Sequence, residues 1–191
     1  MQEHISDILN DSLNNLQKVI NDKGLILEIE TITTKIIKAF KDGNKLLLCG
    51  NGGSASDAQH IAAELSGRFI KERKPLYAEA LHVNSSYMTA VSNDYGFEST
   101  YSRMLEAIGK KGDVLIALST SGNSENVVNA VKMANSLEML SVGMSGATGG
   151  KIKELCQHNI IIPSSNTARI QEAHIIVGHI FCQIIEEKLF E

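Results

Sequence analysis

The chain has 191 residues, 43% of them hydrophobic, which is enough to bury one good core but too short for two ordinary domains. Its 18 basic and 22 acidic residues are dispersed and give a net charge of -4, so no basic stripe is available for a phosphate backbone and nucleic acid is not an expected partner. The N-terminus lacks the features of a signal peptide, and no stretch approaches the ~20 apolar residues of a membrane-spanning helix, so we expect a cytoplasmic protein that does not bind membranes.

The N-terminal segment, residues 1–42, predicts two helices. Apolar residues recur at intervals of three and four in residues 5–20 and again in residues 29–40, with a break at residues 22–24. The apolar stripe of the first helix must cover the domain or pack against another subunit. We favour a subunit interface.

From residue 45 onward, short apolar runs that end in small polar residues alternate with helical periodicity. This alternation predicts an α/β fold, a five-stranded parallel sheet flanked by helices, with residues 43–191 as the core of one domain that spans 1–191. The predicted strands are residues 45–49, 78–83, 114–118, 140–144 and 159–162. Helices are predicted to begin near Ser54, Ser85, Ser124, Gly149 and Thr167. The last helix, residues 167–189, is apolar on most of its faces and is expected to be buried on more than one side.

A loop rich in hydroxyl side chains, residues 119–124, follows the third predicted strand; we call it the hydroxyl loop. Ligands of open parallel sheets bind beyond the carboxyl ends of the strands, and the N-terminus of the next helix favours an anion. The loop lacks the Gly-Lys-Ser/Thr ending of a nucleotide-binding P-loop, so a compact monophosphate is the expected ligand. The alternative that composition leaves open is an ordinary polar turn capped by Ser121 or Ser124.

A second loop, residues 50–56, carries three glycines between the first strand and its helix; we call it the glycine loop. Its glycines let a ligand approach the main chain closely, although a flexible strand-to-helix turn is the alternative. The order Gly-x-Gly-x-x-Gly is missing, and Glu72 does not end a second strand, so a dinucleotide site has little support. Two such loops on one sheet favour a ligand site.

Polar side chains on two of the predicted helices are candidates for acid–base and metal chemistry. His60 and Glu64 are four residues apart and share one helical face, although such pairs are also common surface contacts. On the last helix, Gln171 and His179 lie eight residues apart, roughly 12 Å along an ideal axis, so one regular helix cannot bring both to one ion. Either Gln171 lies in an irregular first turn or neighbouring subunits complete the site. His174 is expected to be a core histidine bound to a carbonyl group.

The three cysteines, Cys49, Cys156 and Cys182, lie within apolar elements and have no Cys-x-x-Cys spacing. Buried reduced thiols are the prediction, with a reactive thiol or a metal ligand as the alternatives.

Six short segments occur in a fixed order along nearly the whole chain. They are Cys49-Gly50-Asn51-Gly52-Gly53-Ser54, Asp57-Ala58-Gln59-His60, Glu64-Leu65-Ser66-Gly67-Arg68, Asn93-Asp94-Tyr95-Gly96, Ser119-Thr120-Ser121-Gly122-Asn123-Ser124 and Arg169-Ile170-Gln171-Glu172. Together they closely resemble the sedoheptulose 7-phosphate isomerases, or phosphoheptose isomerases, a family of the sugar isomerase (SIS) domain superfamily. Six ordered segments are far more specific than any one of them.

The resemblance implies a role for most of these residues and a homotetramer with active sites between subunits. The implied substrate-binding residues are Asn51, Gly52, Gly53, Ser54, Glu64, Asn93, Asp94, Ser119, Thr120, Ser121, Ser124 and Gln171. The implied ligands of one Zn²⁺ per subunit are His60, Glu64, Gln171 and His179. One departure is Ala168, where some relatives carry an aspartate, so a polar contact is lost there.

The implied reaction converts D-sedoheptulose 7-phosphate into D-glycero-D-manno-heptose 7-phosphate, the first step of nucleotide-activated heptose biosynthesis for lipopolysaccharide core or capsule. A base removes a proton from C1 of the open-chain ketose, and the enediolate is reprotonated at C2. We expect Glu64 to be this base and His179 to protonate or polarise the oxygen. Zinc would stabilise the enediolate oxygens as a Lewis acid.

Two other functions remain open at this point. The same fold serves non-catalytic adaptors, including the protein that associates with the bacterial replication initiator, which the segment 167–172 resembles somewhat. That adaptor lacks the carboxylate and the imidazole at the positions of Glu64 and His179, so an enzyme is favoured. The other alternative is an isomerase of a pentose or hexulose phosphate.

Overall fold

The computed structural model describes residues 1–190, so the predicted domain boundary at residue 191 lies outside the described residues. The helices are α1 Gln2–Asn21, α2 Lys23–Lys41, α3 Gly53–Ser66, α4 Ser85–Tyr95, α5 Thr100–Ile108, α6 Glu125–Ser136, α7 Gly150–Leu155 and α8 Thr167–Leu189, with a short 3-10 turn at Phe97–Ser99. The strands are β1 Leu46–Cys49, β2 Ala78–Ala80, β3 Val114–Leu118, β4 Leu140–Gly146 and β5 His158–Ile162.

The five strands form one parallel sheet in the order β2-β1-β3-β4-β5, which confirms the predicted α/β architecture. Alternate residues of each central strand face opposite layers, as the pleat requires. Leu48 and Ile116 pack with α2, α3 and α8 on one side, whereas Leu47 and Leu115 pack with α5, α6 and α7 on the other. Both faces of the sheet are therefore covered, which explains the continuous apolar runs of β1 and β3.

Strands β1 and β3 are direct neighbours, and this pairing determines where a ligand can bind. Cys49 at the end of β1 pairs with Ala117 near the end of β3. The glycine loop and the hydroxyl loop leave these two strands at the same edge of the sheet. The fold thus brings together two loops that are about 70 residues apart in the sequence.

Two predictions about individual elements are wrong. The second strand was expected over residues 78–83, but β2 ends at Ala80, because it is an edge strand and the chain turns where the Val83 amide donates to the Ala80 carbonyl (3.4 Å). Helix α5 was not predicted, although Tyr101, Leu105 and Ile108 have helical spacing and pack in the second layer.

The long helices match the sequence pattern. The break between α1 and α2 falls at Asp22, whose side chain accepts a hydrogen bond from the Leu25 amide (2.9 Å) and so caps α2. Helix α8 buries residues on several faces, including Ile170, Val177 and Phe181. Among the helices within residues 1–190, none has both the length and the apolar composition that crossing a bilayer requires.

All three cysteines are free and buried, which confirms the prediction of inert reduced thiols. Burial raises the pKa of Cys156 to about 12, and it likewise raises that of Cys182 to about 12. The pKa of Cys49 is also raised, first by burial and then by the charge of Cys156. At neutral pH these thiols stay protonated and are poor nucleophiles.

Candidate active site

A pocket of about 310 Å³ opens between the glycine loop and the hydroxyl loop, at the carboxyl ends of β1 and β3. Most of its lining side chains are small and polar, as an anionic sugar derivative requires. The lining residues are Asn51, Gly52, Gly53, Ser54, Leu118, Ser119, Thr120, Ser124, Thr167 and Gln171. Eight of the residues predicted to bind substrate therefore come together here, and Ser121 lies in the hydroxyl loop.

Of the two candidate capping residues in the hydroxyl loop, Ser121 makes a local hydrogen bond within the loop and Ser124 does not cap the helix. Ser124 is the N-cap residue of α6, yet its side chain makes no capping hydrogen bond. Its Oγ instead lies 3.1 Å from the Oγ of the buried Ser119. Ser121 Oγ accepts a hydrogen bond from the Asn123 amide (3.2 Å). The hydroxyls of Ser119 and Ser124 thus line the pocket at the N-terminus of a helix, where an anion is favoured.

The backbone of the hydroxyl loop is fixed by the chain around Gly149. Gly122 has a φ of +67°, and a Cβ at this position would overlap the Gly149 carbonyl oxygen. The Gly146 amide donates to the Thr120 carbonyl (3.0 Å), and the Ile152 amide donates to the Gly122 carbonyl (3.1 Å). These contacts keep the loop in one conformation without help from a ligand.

The glycine loop is held by residues that the sequence analysis missed. The side-chain amides of Asn51 and Asn126 exchange two hydrogen bonds of 2.8 and 2.9 Å. The Tyr101 hydroxyl donates to the Gly50 carbonyl (2.5 Å) and lies 3.3 Å from Asn51 Oδ1. Tyr101 and Asn126 are 50 and 75 residues from Asn51, so no local pattern could have indicated them.

His60, Glu64 and His179 form a second group of polar side chains, the His–Glu–His cluster. One potential ligand atom from each residue lies within 4.8 Å of the others. His60 Nε2 is 3.1 Å from Glu64 Oε1, and the rings of His60 and His179 meet edge to face with centroids 5.0 Å apart. The predicted pair on α3 is therefore joined by the predicted histidine of α8.

The His–Glu–His cluster is partly open to solvent. The side chain of His60 is 48% exposed and that of Glu64 is 26% exposed. The ring of Phe69 covers one side of His179, with the two ring centroids 5.7 Å apart. Nearby, Asp57 Oδ2 is buried without a hydrogen-bond partner, and burial raises the pKa of Asp57 against the opposing influence of His60. This surface is accessible to a substrate or to another subunit.

Gln171 lies apart from this cluster within one chain. It touches the start of α3, where a Cβ on Gly53 would be 2.5 Å from Gln171 Nε2. Helix α8 runs without interruption from Thr167 to Leu189, so the idea of an irregular first turn at Gln171 is wrong. His179 follows two helical turns later, roughly 12 Å along the axis. Within one chain, regular helical geometry therefore keeps Gln171 away from the His–Glu–His cluster.

The chemistry of the His–Glu–His cluster fits a zinc ion. Two imidazoles and one carboxylate are ligands that zinc accepts, and three protein ligands leave a position for substrate or a further ligand. The mutual approach within 4.8 Å lets the three donors reach a common centre after small side-chain adjustments. The structure therefore contains a possible metal-binding triad.

The other motif residues of α8 have structural roles. Arg169 donates from Nη1 to the Ile8 carbonyl (3.0 Å), and this bond attaches α8 to α1. Its Nη2 donates to Glu172 Oε1 (2.5 Å) within α8. His174 is buried, and its Nε2 lies 3.2 Å from the Ser145 carbonyl oxygen, which agrees with the expected core histidine. Ala168 is exposed in the first turn, where its amide donates to the Asn166 side chain (3.0 Å).

Asn93 and Asp94 lie in the last turn of α4. Both side chains are exposed, and Asn93 Nδ2 donates to Asp94 Oδ1 (2.8 Å). Gly96, with a φ of +85°, ends the helix. Neither residue lines the pocket between the two loops.

Comparison with known proteins relates this site to a family. The sequence model of the SIS domain matches residues 9–146. "Phosphoheptose isomerase 2" of Campylobacter jejuni is 47% identical over 190 residues, covering 100% of this chain and 94% of its own length. The phosphoheptose isomerase of Aneurinibacillus thermoaerophilus is 46% identical, covering 100% and 96%. The structure of phosphoheptose isomerase GmhA from Neisseria gonorrhoeae superposes with a TM-score of 0.92 at 38% identity, covering 97% and 98%.

Proposed function

The chain belongs to the phosphoheptose isomerases of the SIS domain family, and from this membership we propose that it interconverts D-sedoheptulose 7-phosphate and D-glycero-D-manno-heptose 7-phosphate. The observation that carries the proposal is the pairing of a small polar pocket with a cluster of His60, Glu64 and His179. The pocket suits a phosphate, and the cluster suits the movement of a proton next to a carbonyl group.

The phosphate of the substrate binds at the hydroxyl loop. Backbone amides at the start of α6 and the hydroxyls of Ser119, Thr120, Ser121 and Ser124 are its hydrogen-bond donors. Asn51 and the glycines 52 and 53 bind the sugar close to the main chain, and Asn93 and Asp94 add contacts to its hydroxyl groups. The fixed backbone of the loop means that little conformational entropy is lost on binding.

The proton transfer is assigned to the His–Glu–His cluster. Glu64 removes the proton from C1 of the open-chain ketose and returns it at C2, while His179 protonates or polarises the neighbouring oxygen. The reaction needs no water as reactant, and the covering of His179 by Phe69 supports its partial exclusion.

We propose that His60, Glu64 and His179 hold one Zn²⁺, with Gln171 of a neighbouring subunit as the fourth ligand. The donor set and the 4.8 Å mutual approach support this assignment. When bound, zinc supplies Lewis-acid stabilisation of negative charge on the substrate oxygens. Glu64 then has two functions, as ligand and as base, which the experiment below separates.

A homotetramer with active sites between subunits is part of the proposal. The two-turn separation of Gln171 from His179 supports it, since one chain cannot bring both to one ion. Helix α1 supports it too, because Ile5, Leu9 and Leu13 are 51–64% exposed. An apolar groove of about 560 Å³ between α2 and α8 is a second surface that another subunit could cover.

Isomerisation of the heptulose phosphate is preferred over the two alternatives, a non-catalytic adaptor and an isomerase of a pentose or hexulose phosphate. The names of the relatives specify phosphoheptose, and the presence of Glu64 and His179 in one cluster argues against a non-catalytic adaptor. The product enters heptose biosynthesis for lipopolysaccharide core or capsule. The cytoplasm is the proposed location, since three free buried cysteines suit a reducing compartment.

The test is an isomerase assay with sedoheptulose 7-phosphate and with shorter ketose phosphates, each with and without a chelator. Only the heptulose phosphate should be converted efficiently. Glu64→Gln should lower kcat by roughly 10²–10⁴-fold, because a positioned general base contributes this much. Glu154→Gln, at an exposed position of α7, is the matched control and should retain full activity.

The metal-free enzyme separates the two functions of Glu64. If Glu64 also acts as the base, Glu64→Gln will be slower than the chelated wild-type enzyme. Equal residual rates would assign Glu64 to metal binding alone. A wild-type protein that converts none of the ketose phosphates would favour the adaptor.

A further inference from the structure

The segment that follows α3, residues 67–77, has no regular secondary structure and yet is held firmly against α8. Its anchor is an ion pair between Arg73 Nε and Glu186 Oε2, 2.8 Å apart, whose side chains are only 1% and 2% exposed. Neither residue belongs to the substrate pocket or to the His–Glu–His cluster. A buried ion pair is not in itself a source of stability, because desolvation offsets the attraction, so its presence calls for another reason.

The carboxylate of Glu186 is fully used as a hydrogen-bond acceptor. Besides Arg73, it accepts from the backbone amides of Phe69 (3.1 Å), Ile70 (2.8 Å) and Lys71 (2.6 Å). Three successive amides are thereby fixed to one point of α8. Phe69, the first of them, is the residue whose ring packs against His179.

The guanidinium of Arg73 binds the last turn of α3. Its Nη2 donates to the carbonyl of Glu64 itself (2.9 Å), and its Nη1 donates to the carbonyl of Leu65 (2.9 Å). The last carbonyls of a helix have no partners within the helix, so Arg73 takes the place of a C-terminal cap. The backbone of Glu64 is therefore attached directly to the ion pair.

Glu186 and His179 lie on the same helix, seven residues or about two turns apart. The ion pair thus joins the helix that carries Glu64 to the helix that carries His179. A second tie is the close packing of Ile61 against Gly178, where a Cβ would be 2.5 Å from Ile61 Cδ1. The ion pair and the Ile61–Gly178 contact together fix the distance between the side chains of Glu64 and His179.

We propose that Arg73 and Glu186 are positioning residues of the isomerase centre, which hold the Glu64 carboxylate and the His179 imidazole in their relative orientation. The inference rests on the proposed function only for its kinetic consequence. A misplacement of about 1 Å in a catalytic group costs up to about 10²-fold in rate, so the loss of the ion pair should affect kcat more than KM.

The chain offers a matched control in a second buried ion pair at the opposite end of the sheet. Lys45 Nζ lies 2.5 Å from Asp113 Oδ2, with side-chain exposures of 10% and 2%. Asp113 also accepts backbone amides, from Lys45 (3.0 Å) and Lys110 (2.8 Å). Asp113→Asn and Glu186→Gln therefore remove the same kind of buried charge, one far from the cluster and one beside it.

The experiment first measures the Tm of Glu186→Gln and of Asp113→Asn. The constants kcat and KM are then measured for both variants at a temperature below both Tm values. We expect similar losses of Tm, with kcat about 10- to 100-fold lower and KM within about twofold of wild type for Glu186→Gln only. Equal kcat values in the two variants would show that the Arg73–Glu186 pair has only a structural role. If Glu186→Gln does not fold, Arg73→Lys is tested instead, because it keeps the charge but loses the forked contacts to α3.

A second readout does not depend on the enzymatic activity. Imidazole ¹⁵N resonances are recorded for the wild type and both variants. The signals of His60 and His179 should shift in Glu186→Gln and stay unchanged in Asp113→Asn. Unshifted signals in both variants would overturn the positioning role, whereas an inactive wild type with shifted signals would contradict only the proposed function.

Discussion

The hydroxyl loop, between β3 and α6, and the His–Glu–His cluster, on α3 and α8, are built in different ways. The loop is formed mainly by backbone, and its conformation depends on Gly122 packing against Gly149 within the same chain. The cluster is formed by side chains of α3 and α8, is partly exposed, and by our proposal owes its geometry to the neighbouring Arg73–Glu186 pair. The conformation of the hydroxyl loop is therefore held within one chain, whereas the proposed catalytic site would take a further ligand from a neighbouring subunit.

This difference decides how each region responds to a change. A backbone site tolerates the loss of one hydroxyl group but not a change in loop conformation. A side-chain site fails when any one of its groups moves. Three changes to the protein distinguish the regions, beginning with the one of largest effect.

Mixing two inactive variants tests whether the cluster is completed by another subunit. Glu64→Gln and Gln171→Ala should each be nearly inactive alone. After joint refolding, about a quarter of the sites should combine an intact Glu64 with an intact Gln171 from a neighbour, because a closed oligomer pairs its subunits at random. The assay is the recovered isomerase rate relative to wild type.

Two controls make the mixing experiment decisive. Glu64→Gln mixed with His60→Ala should recover no activity, since these residues are one turn apart on a single helix. No recovery with Gln171→Ala would mean that each site is built from one chain, and light scattering that finds a monomer would agree with that outcome.

Gly122→Ala tests the backbone nature of the hydroxyl loop. The left-handed conformation costs an alanine roughly 1–2 kcal/mol, and the added Cβ overlaps the Gly149 carbonyl, so the loop must shift. We expect KM to rise about tenfold or more, since 1.4 kcal/mol of lost binding is a factor of ten. Gly43→Ala, with a φ of +80° and open space around it, should lose stability without a change in KM.

An unchanged KM in Gly122→Ala would show that the loop adapts and that its close packing is not needed for binding. A rise in KM in both variants would instead point to general destabilisation.

The smallest effect concerns His174, which lies on α8 between the two regions. Burial lowers its pKa from 6.5 to about 4, although the bond to the Ser145 carbonyl opposes the shift. Because the unfolded histidine binds its proton more tightly, unfolding takes up about one proton between pH 4 and 6.5. The contribution of His174 to stability is therefore complete above pH 6.5 and is lost, by up to about 3 kcal/mol, as the pH drops from 6.5 to 4.

Denaturant unfolding at several pH values measures this proton uptake. His174→Gln should remove it, while the isomerase rate at neutral pH stays close to that of wild type. Proton uptake that persists in the variant would assign the acid sensitivity to another group.

Much of the fold was predictable because the central strands are buried on both faces, so their sequences are short continuous apolar runs that end in small polar residues. The edge strand β2 was misjudged at its end, since Glu79 and His82 interrupt the pattern. The pocket was also predictable, because loops after neighbouring parallel strands must meet. The amide pair of Asn51 and Asn126 and the contacts of Arg73 with Glu186 could not be inferred, as they join residues 75 and 113 positions apart that have no common motif.

The close packing of the hydroxyl loop has a practical consequence for anyone who wishes to change the sugar that this fold accepts. A Cβ on Gly122 or on Gly150 would meet the backbone of the other segment, so substitutions at these two glycines would displace the hydroxyl loop. Variation is better introduced at Asn93 and Asp94, which are exposed at the end of α4 and can accept larger side chains. The hydroxyl loop is the part to keep, and the exposed end of α4 is the part to redesign.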